Sequence, residues 1–208
     1  MSNEIEFPIL SRTVHAGVGA EFGHISIDPR GRFCGCGRRG CVETYVSASG
    51  LRRTVYELLA ERIDESELRD ISFHSLTAET VSRLARKGDP IAKGAFDRTG
   101  VYLGQLLANL VAMFDPEAVV LFGGLVNAGD LLMTPMRQSF NEHVLDVYRA
   151  RVRILISGLN NGEAAVLGAS CLVRDVLLGV EGVRAVGWKI PDASEEQDRE
   201  LFFKGTTS

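Results

Sequence analysis

Glu21-Phe22-Gly23-His24, followed by Cys34-Gly35-Cys36-Gly37-Arg38-Arg39-Gly40-Cys41-Val42-Glu43, is the most informative stretch of the 208-residue chain. His24 precedes Cys34 by ten residues, Cys36 by twelve and Cys41 by seventeen. Four soft ligands on one short, glycine-rich hairpin match the tetrahedral Cys3His set that binds zinc. The interleaved Gly35, Gly37 and Gly40 let the backbone curl until all four groups converge. With four protein ligands no position stays open for a water, so such a zinc would be structural. An unmetallated cluster of reduced thiols, or an oxidation-sensitive loop, is the other reading of these residues. Cys34 and Cys36 are too close together for an easy disulfide, and a disulfide scaffold would spread its cysteines to close long loops.

Around that hairpin the composition is ordinary for a globular protein, 45% hydrophobic and 24% charged, which excludes wholesale disorder. Lys plus Arg total 23 against 27 for Asp plus Glu, a formal charge of −4. The chain as a whole is therefore not expected to contact nucleic acid electrostatically. No apolar run approaches the ~20 residues needed to span a bilayer, and no signal peptide is visible, so a cytoplasmic location with no membrane partner is expected.

Glycine-rich residues 17–24 lead into a short Ile25/Ile27 strand and a turn at Asp28-Pro29-Arg30-Gly31. A helix is expected over 42–47, a helical stripe over 51–60, and a solvated helix face over the charged run 61–70. Thr77 heads a short capped helix that ends at Gly88. Pro90 opens the strongest helix, 91–114, in which Leu103, Leu107, Leu110 and Phe114 fall on one face. Gly100 and Gly104 on it would let a neighbouring element approach closely. Asp115-Pro116 stops this helix, and the apolar run 118–122 reads as a buried parallel strand ended by Gly123-Gly124. Asp130 is expected to cap a helix over 131–143, and Val152, Ile154 and Ile156 mark a second strand. Asn160-Asn161-Gly162 is a turn, Glu163 opens a helix reaching Leu178, and a polar tail follows with one short helix near 194–203. Strand and helix alternate from 91 to 178, which indicates an α/β fold.

The Glu-Phe-Gly-His motif and the Cys-Gly-Cys-Gly-Arg-Arg-Gly-Cys-Val-Glu segment resemble the signature of the ROK family of repressors, open reading frames and sugar kinases. The resemblance extends from Gly17 to Leu178, through Asp115-Pro116, residues 119–124 and Gly162-Glu163-Ala164-Ala165. It implies the second lobe of an actin/hexokinase-like (ribonuclease H-like) fold, a ROK C-terminal lobe over 1–180, with 181–208 as an extension. It also implies zinc on His24, Cys34, Cys36 and Cys41, sugar hydroxyls on Glu21, His24 and Glu43, and a nucleotide-side turn at Gly123 and Gly124. Taken alone, either glutamate would read as a solvated loop charge. No Asp-bearing phosphate loop and no catalytic Asp ahead of Glu21 can be found, nor a helix-turn-helix segment. The expectation is therefore a sugar-sensing, dimerising lobe of a ROK transcriptional regulator, without its N-terminal parts and without catalytic residues. The alternatives are a fragment of an ATP-dependent ROK sugar kinase, or a zinc-stabilised oligomerisation lobe with no ligand. Its partners would be a sugar or amino sugar, held weakly, and a second copy of the chain. His15, His74 and His143 have no ligand partners at useful spacing, and Cys171 reads as a small core residue.

Overall fold

The computed structural model describes residues 21–158. The expected turn at 160–162, the helices over 163–178 and 194–203, His15 and Cys171 lie outside the described residues. Among the described residues four α-helices and two strands succeed one another: α1 (Ala48–Glu61), α2 (Ala78–Arg86), α3 (Pro90–Phe114), β1 (Ala118–Leu121), α4 (Asp130–His143) and β2 (Arg153–Ile156).

Local chemistry sets most of these boundaries. The Asp89 side chain accepts from the backbone N–H groups of Ile91 and Ala92, and Pro90 occupies the first helical turn of α3. The same helix ends at Asp115, whose φ of 45° is left-handed. Asp tolerates that conformation, and Pro116 cannot continue the helix. Thr77 caps α2 by accepting from the Thr80 N–H, and α2 gives way at Gly88, φ 102°.

Four expectations need correction. Residues 42–47 do not form a helix: Val42–Thr44 is one 3-10 turn, and Ser47 is extended and caps α1 by accepting from Gly50 N. A serine that satisfies a helix start from outside interrupts any helix entering from its N-terminal side. The charged run 61–70 is not a helix face, because α1 ends at Glu61 and only Glu67–Asp70 coils again, burying Leu68 completely. Arg69 closes α1 by donating to the carbonyls of Leu59, Arg62 and Asp64. Asp130 is the first residue of α4 rather than its cap, since Gly129, at φ 62°, takes that position. Ile25 and Ile27 form no strand, only the flanks of an isolated bridge between Ser26 and Cys41.

The strands β1 and β2 pair in parallel, Ala118 opposite Arg153 and Leu121 opposite Ile156, with α4 as the crossover between them. Val119, Leu121 and Ile154 point into the core, whereas Val120 is 51% exposed. Among the described residues β1 is therefore buried on one face, not two. The core centres on α3, which is buried along much of its circumference because α1 and α2 pack on it as well as α4. Leu103, Leu107 and Leu110 are buried as their spacing predicts, but Phe114 is 42% exposed and meets the Phe22 ring edge-on. Among the described residues no helix is long and apolar enough to cross a membrane.

Gly100 and Gly104 face α4 at backbone distance. A Cβ at Gly100 would lie 2.6 Å from Pro135 Cγ, and one at Gly104 would lie 2.5 Å from the Met136 carbonyl oxygen. Gly104→Ala should therefore destabilise the fold, because overpacking costs ~1–3 kcal/mol and the gain in helix propensity returns only ~1 kcal/mol. At Gly94, on the same helix, the nearest atom to a new Cβ is the movable Arg62 guanidinium at 3.2 Å. Gly94→Ala should leave stability unchanged or raise it. Urea unfolding of the two variants checks this, and equal midpoints would contradict the packing argument.

Candidate functional site

The hairpin bearing the cysteines is built by backbone pairing. Ile27 N donates to Gly40 O, Val42 N to Ile25 O, and Gly40 N to Arg32 O. Gly31 N donating to Asp28 O closes the expected turn, and Phe33 bridges Arg39 to close the tip. Within the tip, Cys34 N donates to Arg38 O and Gly37 N to Cys34 O. Gly40 is indispensable to this path: its φ is +69°, and a Cβ there would fall 1.7 Å from the Asp28 carbonyl oxygen.

This folding gathers the four sequence-predicted ligands. One ligand atom from each of His24, Cys34, Cys36 and Cys41 lies within 4.8 Å of every other. Cys34 Sγ is 3.5 Å from His24 Nδ1, and Cys36 Sγ is 3.6 Å from Cys41 Sγ. Ligands at ~2.0–2.3 Å from a tetrahedral centre stand roughly 3.5–3.8 Å apart, so these separations fit a zinc-sized ion. All three thiols are free of disulfides. Arg38 faces the cluster and donates to the His24 carbonyl. Its backbone N–H and then its guanidinium hold the Cys36 thiol down to about 6, while burial and then the neighbouring sulfurs push the Cys41 thiol up to about 12. A divalent cation would outweigh both effects and hold all three sulfurs as thiolates.

The carboxylates expected beside this cluster are there. Glu43 rides on the Val42–Thr44 turn, with Oε2 3.6 Å from His24 Nδ1, and Glu21 Oε2 lies 3.8 Å from His24 Nε2. The imidazole therefore stands between two carboxylates, with Nδ1 beside the sulfurs and Nε2 on the side of Glu21. Gly123 and Gly124 are not part of this cluster. They follow the carboxyl end of β1, Gly123 at φ 110°, and a Cβ on either would meet open space. His74 packs edge-on against Phe73, and His143 Nδ1 lies 2.7 Å from the Ser139 carbonyl oxygen.

Sequence reasoning missed Arg32. Its side chain is only 10% exposed and pairs twice with Glu57 on α1, at 2.8 and 2.6 Å. It also donates to the carbonyls of Thr44 and Gly50 and to Thr54 Oγ1, and it lies over the Tyr45 ring at 4.4 Å. Tyr45 returns a contact by accepting from Arg32 N, and stacks on Tyr102 of α3 at 4.0 Å. Thr44 directly follows Glu43, so this guanidinium fixes the turn that carries the carboxylate. An arginine in an arginine-rich loop gives no local signal of such a role.

Arg32→Ala should cost about 2–4 kcal/mol. That is below the full penalty for breaking a buried pair, because the Glu57 side chain is 43% exposed. Arg32→Lys should recover little of it, since an ammonium cannot reproduce the bidentate fork. Chemical denaturation measures both, and a fully stable lysine variant would refute the bidentate argument.

Comparison with known proteins matches residues 11–176 to the ROK family. A glucokinase of Streptomyces coelicolor is 33% identical over 79% of this chain and 53% of its own length. The DNA-binding transcriptional dual regulator NagC of Escherichia coli is 28% identical over 85% of this chain and 46% of its own. Among solved structures, a ROK family glucokinase from Streptomyces griseus, in complex with glucose and AMPPNP, is 35% identical. It superposes with a TM-score of 0.67 over 76% of this chain and 52% of that one. The chain thus spans about half the length of these relatives. The match runs over well more than half of the chain, and the chain belongs to the ROK family.

Proposed function

We propose that this chain carries a zinc-braced wall of a sugar-binding site. His24, through Nδ1, with Cys34, Cys36 and Cys41, would hold the ion. Bound there, zinc would supply rigidity rather than Lewis acidity, because four protein ligands complete its tetrahedron. Glu21, Glu43 and the Nε2 edge of His24 are the groups that meet sugar hydroxyls. Carboxylates accept well from vicinal hydroxyls, and a stiffened hairpin presents them without an ordering cost at binding. The observation that carries this reading is the convergence of four ligand atoms within 4.8 Å beside two carboxylates that flank the same imidazole. The glucose in the Streptomyces griseus complex supports a hexose as ligand class.

The regulator reading makes this lobe a sensor that transmits sugar binding through a homodimer. Val101 and Met113, exposed on α3, support the self-association. The kinase reading is supported by the glucokinases among the chain's relatives, which match it at an identity similar to that of the regulator. In it, Gly123 and Gly124 at the carboxyl end of β1 would border a nucleotide, since ligands of α/β sheets gather at that end of the strands.

Metal analysis of protein purified without added metal should give close to one zinc per chain, and Cys36→Ser should lower both the zinc content and the melting temperature. A well-folded, metal-free wild type would sink the zinc assignment. Glu43→Gln should weaken glucose or N-acetylglucosamine binding by roughly tenfold or more at unchanged zinc content, the effect of losing a charged acceptor. Calorimetry in which Glu43→Gln binds as well as wild type would remove the sugar assignment. A coupled ATP assay should detect no hexose-dependent turnover, since neither a phosphate loop nor a catalytic base is found in the sequence; measurable turnover would make the protein a kinase and overturn that reading.

A further inference from the structure

The sulfur cluster is uneven in its exposure. Cys41 is fully buried and Cys34 is 8% exposed, whereas Cys36 stands out at the hairpin tip. The Cys36 and Cys41 sulfurs are 3.6 Å apart, about 1.5 Å more than a disulfide bond. Glycine flanks Cys36 on both sides, and a Cβ at Gly35 or Gly37 would meet nothing within 4 Å. The tip therefore has room to close that gap. Cys34 is the poorer partner: with only Gly35 between it and Cys36, it cannot bridge without strain, and its sulfur faces His24 Nδ1 at 3.5 Å.

We propose that Cys36 is an oxidation site, at which a hydroperoxide converts Cys36 and Cys41 to a disulfide and dismantles the metal centre. In the first step the Cys36 sulfur attacks the peroxide oxygen, the O–O bond breaks, and Cys36 becomes a sulfenic acid while hydroxide leaves. In the second, the Cys41 sulfur attacks that sulfur, the S–S bond forms, and the sulfenic oxygen leaves, as hydroxide when a metal holds Cys41 as thiolate or as water when it takes the Cys41 proton. Two electrons pass from the sulfur pair to the peroxide, which ends, after taking up two protons, as two waters when it is hydrogen peroxide. Only Cys34 and His24 remain as ligands, too few for a closed tetrahedral site. Cys41 also stands at the start of the turn that bears Glu43, so the same reaction would displace that carboxylate from His24. The release of metal rests on the zinc reading above; the oxidation itself does not.

The test treats the zinc-loaded full chain with hydrogen peroxide, follows zinc release with a chromogenic chelator and maps disulfides by mass spectrometry. One Cys36–Cys41 bridge should form per zinc released, and dithiothreitol with added zinc should restore the starting state. Cys36→His keeps a possible metal ligand without an oxidisable sulfur, and should release zinc at least about tenfold more slowly. Cys41→Ser should stop at the sulfenic acid, trapped at Cys36 by a carbon nucleophile such as dimedone. A bridge through Cys171, zinc loss at the wild-type rate in Cys36→His, or zinc fully retained with no bridge would each overturn the proposal. A protein that forms the Cys36–Cys41 bridge but never held zinc would support the oxidation site and sink the zinc reading alone.

Discussion

Arg32 leaves the cysteine hairpin and places its guanidinium between the Val42–Thr44 turn and α1, where Glu57 and three further acceptors take its hydrogen bonds. Phe22, Ile25 and Ile27 at the base of the hairpin pack only partly buried against the core, and Phe33 at its tip is largely exposed, so this contact is the deep polar anchor of the hairpin. A charge so enclosed is tolerable only when nearly every donor is used, a condition the rigid guanidinium fork meets and a lysine would not. Through Tyr45 the same contact reaches Tyr102, and thereby α3. The hairpin is thus closed on itself by its backbone pairing and held to the helices by Arg32.

This arrangement explains why His24 can serve two neighbours at once. Its Nδ1 looks toward sulfur and Glu43, and its Nε2 toward Glu21. A ring with one nitrogen committed to a metal has its tautomer and orientation settled, so the other edge presents a defined hydrogen-bonding group to whatever lies beside the carboxylates. With zinc and a sugar bound as proposed, rigidity in the cluster and selectivity beside it would come from the same side chain.

The parts that sequence made legible are those whose causes are local. The ligands lie within one window, punctuated by glycines, and the hairpin brings them together as their spacing predicts. Helix α3 carries its cap, its proline and its stop in adjacent residues. The errors arise where two local rules compete or where the cause is distant. Asp130 is a better cap by residue type than Gly129, but only glycine readily adopts the φ of 62° with which the chain enters α4. Ser47 could lie within a helix or cap one, and the turn before it decided for the cap. The exposure of Val120 depends on what packs over the sheet, which a continuous apolar run does not encode. Glu21 and Glu43 look like loop charges until their distance to His24 is known, and Arg32 could not be found at all, since Thr44, Gly50, Thr54 and Glu57 converge on it only after folding.

The contact between α3 and α4 has a mechanical consequence. Pro135 stands against Gly100, and the Met136 carbonyl, the Phe140 N–H and the small Ser139 side chain crowd Gly104. Packed helices shift past one another by small adjustments of interleaved side chains. Here a ring and a main chain sit in notches that side chains on either side would close. The helix pair is interlocked like a tooth in a rack, so motion that passes through it must carry both helices together as one lever.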